Sequence, residues 1–296
     1  MKTYVLRTCA GDMTSFDGRF TWPASGLVKA PDWDPKPECG GGLHGFLLGC
    51  GDGRLADWAE SANWLVVEID RETLIDLQGK VKFPKGNVMF CGNRDGAIAV
   101  LEGLAPEAKH MPVIGARRMV GDKQIVCTGY RGSAVAGAFG SAVAGYKGNA
   151  MAGEGGKAEA GYAGTAEAGH AGTAIACEGG SAIAGEGGSA IVGACGSAVA
   201  GYRGSAFAGY KGSAVAGDYG SATAGAYGKA VAGYKGSAIA GDYGNATAGV
   251  GGRISIDWWD TKTGRYRTAV GYIGEDGLEP GIPYQCDKEG KFVAAD

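Results

Sequence analysis

The stretch Gly132-Ser133-Ala134-Val135-Ala136-Gly137-Ala138-Phe139 is followed at once by Gly140-Ser141-Ala142-Val143-Ala144-Gly145-Tyr146-Lys147, and the pattern returns every eight residues as far as Gly251. Fifteen octads stand in one phase. Their first position is always Gly, from Gly132 to Gly244, and their third is always Ala, from Ala134 to Ala246. The fifth is Ala except at Val192, and the sixth is Gly except at Cys177. Position two holds Ser, Thr, Asn or Lys. Position four is mostly aliphatic: Val135, Val143, Met151, Ile175, Ile183, Ile191, Val199, Phe207, Val215, Val231 and Ile239, with Glu159, Glu167, Thr223 and Thr247 as interruptions.

A period of eight does not suit a helix. At 3.6 residues per turn it drifts around the axis, and two glycines per octad would each cost about 1 kcal/mol. A strand of four or five residues and a Gly-flanked turn fit it instead. Gly at positions six and one either takes a positive φ or lets neighbouring coils approach closely. Side chains at three and five then share one face of the strand, and those at two and four the other. Two octads make one coil, so the fold class is mainly β: a two-sheet β-solenoid of about 16 residues per coil. Fifteen octads make seven and a half coils, about 35 Å of stack at about 4.8 Å per rung.

Invariant alanine at three and five favours an interior where only a methyl group fits, and Glu159 and Glu167 would be unpaired charges if position four faced inward. The expected exterior is therefore a flat ladder of Val, Ile and Phe, the kind of apolar patch that marks a contact surface. The alternative puts Val and Ile in the core, with the two glutamates in a local opening. Turn positions seven and eight carry Tyr146, Lys147, Tyr202, Arg203, Tyr210, Lys211, Tyr234 and Lys235. Stacked rungs align these as aromatic and basic ladders along an edge. Such ladders can bind single strands or sugars; Glu154, Glu178, Glu186, Asp218 and Asp242 among them favour a solvated edge.

The repeat resembles a known family. Ala208-Gly209-Tyr210-Lys211-Gly212-Ser213-Ala214-Val215 and the following Ala216-Gly217-Asp218-Tyr219-Gly220-Ser221-Ala222-Thr223 are similar to the octapeptide repeats of bacterial ice-nucleation proteins. The shared features are the Ala-Gly-Tyr opening, the Ser after the turn and the double unit of two octads. The resemblance implies a solenoid and, through the Thr-x-Thr row of that family, a surface that orders water. Here the row reads Ser213-x-Val215, and Ser221-x-Thr223 approximates the family's pattern.

The flanks read as ordinary globular sequence. Residues 1–115 form an expected α+β domain capping the first coil, with a short helix over Leu55–Ser61, a buried strand over Trp64–Asp70, strands over Lys80–Phe83 and Val88–Cys91 joined by a turn at Pro84–Asn87, and a helix over Arg94–Leu104. Residues 116–251 form the solenoid, with regular repeats over 132–251 and a divergent first rung over Gln124–Arg131. Residues 252–296 form a hairpin cap, with strands over Arg253–Trp259 and Arg265–Tyr272 around Thr261–Gly264, and Trp258, Trp259, Tyr266 and Tyr272 as a lid over the last coil.

Composition excludes several classes. Gly accounts for 58 of 296 residues, yet only 9 are Pro and no Gly-X-Y register exists, which excludes collagen. A formal charge of −3 gives no footprint for nucleic acid. No apolar run reaches the length of a membrane span and the start lacks a secretory core, so the cytoplasm is the expected location and the eight cysteines are expected reduced. Cys39, His44 and Cys50 are the only cluster that could coordinate metal, at a spacing unlike zinc sites. Their expected state is buried thiols and a satisfied histidine. No cofactor is expected: Gly49-Cys50-Gly51-Asp52-Gly53 lacks the leading strand of a dinucleotide fingerprint.

The expected function is non-enzymatic: a structural or binding protein whose flat ladder self-associates or docks a macromolecular partner. Ice binding is one alternative. Others are an accessory protein of a phage or mobile element acting on a host complex, and an N-terminal ligand-binding domain. For the last, Gly40-Gly41-Gly42-Leu43-His44 before Trp64–Asp70 is similar to the middle of ADP-ribosyltransferase-like folds, although the upstream His and downstream Glu of that family have no match here.

Overall fold

A computed structural model describes residues 1–15 and 18–295. The chain divides into two compact units, one of 1–118 with 127–133, the other of 119–126 with 134–296.

In the first unit, β1 (Lys2–Cys9), β2 (Gly26–Lys29), β3 (Leu43–Leu47), β4 (Asn63–Asp70), β5 (Ile75–Asp76), β6 (Val81–Phe83) and β7 (Lys85–Gly92) form a seven-stranded sheet of order β2-β7-β4-β1-β3-β6-β5. The strand expected over Trp64–Asp70 is β4. It reads as continuous apolar sequence because both faces are covered. Trp64 and Val66 meet helix α1 (Arg94–Leu104) through Ala97, Ile98 and Leu101, while Leu65, Val67 and Ile69 enter a second core with Val5, Leu43 and Phe83.

Two local expectations need correction. Leu55–Ser61 is not a helix: a 3₁₀ turn over Gly53–Leu55, capped by Asp52, gives way to extended backbone at Ala56. Thr8 Oγ1 then accepts from the Asp57 amide at 2.8 Å, and Trp58 Nε1 donates to the Gly53 carbonyl at 2.7 Å, so tertiary bonds replace helical ones. Nor is Pro84–Asn87 a hairpin turn. β6 and β7 flank Pro84 as one bent strand; β6 pairs with β3 and β5, and β7 with β2 and β4. A single chain pairing at both places curls the sheet towards closure. Proline suits the bend, having no N–H to leave unpaired.

The second unit is a β-solenoid of about nine coils. Each octad contributes a four-residue strand at positions two to five, and octads alternate between two parallel sheets. The register is one-to-one, as in Ser213↔Lys229 and Val215↔Val231. The gain over seven and a half coils comes from rungs outside the regular repeat. Ile125–Thr128 begins the ten-stranded sheet, in the region expected as a divergent rung, and Arg253–Asp260 continues it beside Ser237–Ala240.

Alanine is inside. Position-three alanines are at most 1% exposed and position-five residues at most 8%. The two roles left open for glycine resolve in favour of close approach. A Cβ on Gly212 would lie 2.8 Å from the Ala208 Cβ, and one on Gly217 would lie 2.9 Å from the carbonyl carbon of Gly201 in the preceding coil. Positive φ belongs to position eight instead, where Lys147, Ala171, Arg203, Lys211 and Tyr243 all lie between 51° and 56°. The turns are stitched coil to coil: the Lys147 amide donates to the Tyr162 carbonyl at 2.9 Å and the Lys211 amide to that of Ala226 at 2.9 Å. From Phe139 to Lys235 every position-eight amide bonds the next coil in this way, a setting that tolerates a left-handed residue costing about 1–2 kcal/mol.

At the far end, Arg253–Asp260 and Arg265–Tyr272 pair in the register Arg253↔Tyr272 to Asp260↔Arg265. The expected aromatic lid is not what meets the alanine core. Trp259, Tyr266 and Tyr272 are exposed, while Ile254, Ile256, Ile273, Leu278 and Tyr284 join the core. Alternation explains the choice: Ile254 and Ile256 extend the inward rows of Ala238 and Ala240.

Candidate binding surface

The outward rows of the solenoid are built by register alone. In the ten-stranded sheet, position four stacks as Ile175, Ile191, Phe207, Thr223 and Ile239 on successive coils. Beside it, position two stacks as Thr173, Ser189, Ser205, Ser221 and Ser237. Five rungs therefore carry one hydroxyl row and one largely aliphatic row without a charge. An ion pair of Lys157 with Glu159 closes the patch at one end, and Arg253, donating to Ser237 Oγ at 3.0 Å, closes it at the other. Ile191 and Phe207 are 37% and 42% exposed, a large fraction for apolar side chains in neighbouring rungs.

The eleven-stranded sheet presents the other half of the expected ladder. Ile183, Val199, Val215 and Val231 stack there on consecutive coils, with Val135 and Met151 beyond the break at Glu167. Its row of position two is interrupted by Lys229. Val143, in the ten-stranded sheet, lies on the far side of Glu159 from the five-rung patch. The ladder residues singled out in the sequence thus fall on two faces, because successive octads belong to opposite sheets.

The turn ladders divide in the same way. Tyr146/Lys147 and Tyr210/Lys211 follow even octads and share one edge with Tyr162, Tyr227 and Tyr243; Tyr202/Arg203 and Tyr234/Lys235 follow odd octads and share the other with Tyr219. Rings meet along each edge: on one, Tyr227 stacks on Tyr243 at 5.1 Å and Tyr146 on Tyr162 at 5.2 Å, while on the other Tyr219 meets Tyr202 and Tyr234 edge-on at 5.7 and 5.5 Å. The cations lie over these same rings: Arg203 is 5.0 Å from the Tyr202 centroid and Lys211 5.2 Å from that of Tyr210. Aromatic faces and cations are already matched with each other. Tyr219, Tyr227 and Tyr243 lie outside the Tyr-Lys and Tyr-Arg pattern of the sequence because they occupy position eight, one place after the Tyr of those pairs.

The cysteines and histidine considered for metal do not converge. Cys39 is exposed and its Sγ takes a hydrogen bond from Lys80 Nζ at 3.0 Å; Cys50 is half-buried, its thiol pushed up to about 11 by burial. His44 Nε2 is buried without a hydrogen-bond partner, so the histidine is not satisfied as expected. Burial holds His44 down at about 4, with the charges of Lys80, Arg7 and Lys82 acting in the same direction. Among the described residues no group of three His, Cys, Asp or Glu side chains could hold a metal ion. Among them, too, no helix is long and apolar enough to cross a membrane.

These features define a β-solenoid of octapeptide repeats with two flat outer faces. Its repeats are similar to those of ice nucleation proteins. One from Xanthomonas campestris pv. translucens is 35% identical over 117 residues, which is 39% of this chain and 7% of that relative. Another from Pseudomonas fluorescens is 37% identical over 102 residues, 34% of this chain and 8% of the relative, and one from Pseudomonas syringae is 38% identical over 98 residues, 32% and 8%. The chain thus spans less than a tenth of the length of these curated relatives. No protein-family model and no solved structure matches it.

Proposed function

We propose that this is a non-enzymatic binding protein that self-associates through the outer face of the ten-stranded sheet. The observation that carries this reading is the charge-free patch of five rungs around Ile191 and Phe207. Two such faces, each a row of aliphatic groups beside a row of hydroxyls at the same rung spacing, complement one another when one is turned end for end. Five rungs at about 4.8 Å and four residues at about 3.3 Å give a strip of about 24 by 13 Å, about 300 Å² on each copy, in the range of weak, transient contacts. The expected assembly is accordingly a reversible dimer.

Light scattering over a hundredfold concentration range tests this. The mass should rise from 29.9 kDa towards twice that value. Ile191→Glu combined with Phe207→Glu should hold the protein at the monomer mass while leaving its circular dichroism unchanged. A constant 29.9 kDa for the wild-type chain throughout would overturn the reading.

A second reading, an ice-ordering surface, draws support from a different observation: the hydroxyl row from Thr173 to Ser237, in repeats similar to those of proteins named for ice nucleation. Regularly spaced hydroxyls beside methyl groups can order water. Droplet-freezing temperatures equal to those of buffer, at matched concentration, would remove it.

A further inference from the structure

We propose that the N-terminal unit binds a soft monovalent metal ion, copper(I), between the sulfurs of Cys9, Met13 and Cys91. Met13 Sδ lies 3.9 Å from Cys9 Sγ and 3.6 Å from Cys91 Sγ. A metal–thiolate bond of about 2.3 Å at a trigonal angle sets the sulfurs of one coordination sphere about 4 Å apart. Both contacts fall within that spacing, so the shared thioether needs little movement to ligate together with either thiol.

Three segments distant in sequence bring the sulfurs together. Cys9 ends β1 opposite Asn63, and Cys91 lies on β7 opposite Leu65, two residues further along β4. That step of two puts both thiols on one face of the sheet, in the core that holds Val5, Trp22 and Leu65. Met13 comes from the turn after β1. Its amide donates to the Ala10 carbonyl at 2.9 Å, and its carbonyl accepts from the Trp22 amide at 2.8 Å. Asp12 fixes the next residue, accepting from the Thr14 amide at 3.0 Å and the Thr14 hydroxyl at 2.6 Å. Within this turn Met13 adopts φ 68°, a left-handed conformation that costs free energy in any residue with a Cβ. Glycine or asparagine would serve the turn at less cost. What methionine adds is a thioether against both thiols.

The donor set selects the ion. Two thiolates and a thioether are soft ligands, of the kind that suits copper(I). Zinc takes four ligands, and among the described residues no three His, Cys, Asp or Glu side chains gather to supply them. Burial pushes the Cys9 thiol up to about 11 and raises that of Cys91 as well, so both keep their protons at neutral pH until metal arrives. The contact of Cys9 Sγ with the Asn63 carbonyl is long, 3.9 Å, and little is lost when this thiol gives up its proton. Binding replaces two S–H bonds by two copper–sulfur bonds, releases two protons to solvent and leaves copper in the +1 state. The complex carries one negative charge, which the positive charge of Arg7 favours as it favours the Cys9 thiolate. Met13 and Cys91 are partly exposed and give the ion its entry, whereas Cys9 is 2% exposed.

Anaerobic titration of the full chain with copper(I) against a chromogenic chelator tests the site. The background carries Cys39→Ser, Cys177→Ser and Cys195→Ser, which remove the exposed thiols. One copper(I) should bind per chain. Met13→Leu keeps the apolar volume and should weaken binding at least tenfold without moving the thermal midpoint of the metal-free protein. Cys91→Ser should weaken it at least a hundredfold. X-ray absorption of the loaded protein should show three sulfurs at about 2.3 Å from the metal. No bound copper(I), unaltered affinity in Met13→Leu, or a shell of only two sulfurs would each overturn the proposal. Equal affinity for zinc(II) would overturn the selection of a soft ion.

Discussion

The two units bury apolar surface in opposite ways. The core of the N-terminal unit is made of bulk: Leu6, Leu65, Phe83, Leu101 and Ile114 are fully buried and locked between strands and a helix. Through the regular repeats the solenoid buries almost nothing larger than a methyl group, Val192 being the exception. At about 0.8 kcal/mol per buried CH₂, an alanine gives much less than a leucine. The solenoid compensates by repetition, with a backbone bond to the next coil at almost every position and about 1 kcal/mol net from each. Stability is concentrated in a few side chains in one unit and spread thinly over many coils in the other.

Substitutions that exchange the two kinds of core should therefore act with opposite logic. Leu65→Ala, which removes bulk from a site 0% exposed, should cost about 2–5 kcal/mol in chemical denaturation, with hydrogen exchange rising across β1, β4 and β7. Ala206→Leu adds bulk where only a methyl fits and should cost about 1–3 kcal/mol, with exchange rising in the coils beside Ser205–Ala208. A Leu65→Ala variant as stable as the parent, or a harmless Ala206→Leu, would erase the contrast.

A finer test uses one chemical change at two places in the solenoid. Ala174→Gly, in the interior row, should destabilise by about 1 kcal/mol. Ala171→Gly sits three residues earlier at φ 52°, where glycine relieves about 1–2 kcal/mol of left-handed strain and loses about 0.5–1 to flexibility. It should stabilise by about 0.5 kcal/mol, read as a raised thermal midpoint. Effects of the same sign at both positions would refute the assignment of strain to position eight.

The smallest effect concerns pH. His44 is held at about 4 when folded, so the unfolded chain takes up that proton first, and its influence lowers the stability of the N-terminal unit as pH falls from about 6.5 to about 4. Asp260, in the hairpin, is held at about 2, first by the Thr263 hydroxyl at 2.6 Å and also by Arg267 at 2.6 Å. Its contribution is fully present above about pH 4 and is lost as pH falls towards 2. Hydrogen exchange should accordingly loosen the first unit at milder acidity than the hairpin. His44→Asn and Asp260→Asn should each flatten the dependence in their own window.

Much of this was legible in the chain. Invariance of Ala134 through Ala246 marked an interior too narrow for anything but a methyl, and the same residues lie at the centre of the solenoid. The alternation of Ile254 and Ile256 was read as a strand, yet the aromatic neighbours were expected to cover the core. Size alone misled there, since the inward rows are continued by whichever residues keep the parity. In the N-terminal unit, Leu55–Ser61 has helical composition, and hydrogen bonds from the Asp57 amide to Thr8 and from the Trp58 ring to Gly53 override it. His44 drew notice through its cysteine neighbours. Its actual surroundings are Arg7 and Lys80, which lie 37 and 36 residues away and which no local pattern connects to it.

By itself the sequence determined the repeat unit, the strand within it, the two-octad coil and the inward face, because a strict period forces every coil into the same local solution. Only the tertiary structure decided what depends on the pairing of distant segments. Alternation of octads between sheets split the ladders over two faces and two edges. Rung-to-rung bonding placed the left-handed backbone at position eight. Curling of the N-terminal sheet brought Arg7 and Lys80 beside the half-buried His44. Each of these is a long-range contact, set by which strands meet, and periodicity carries no information about that.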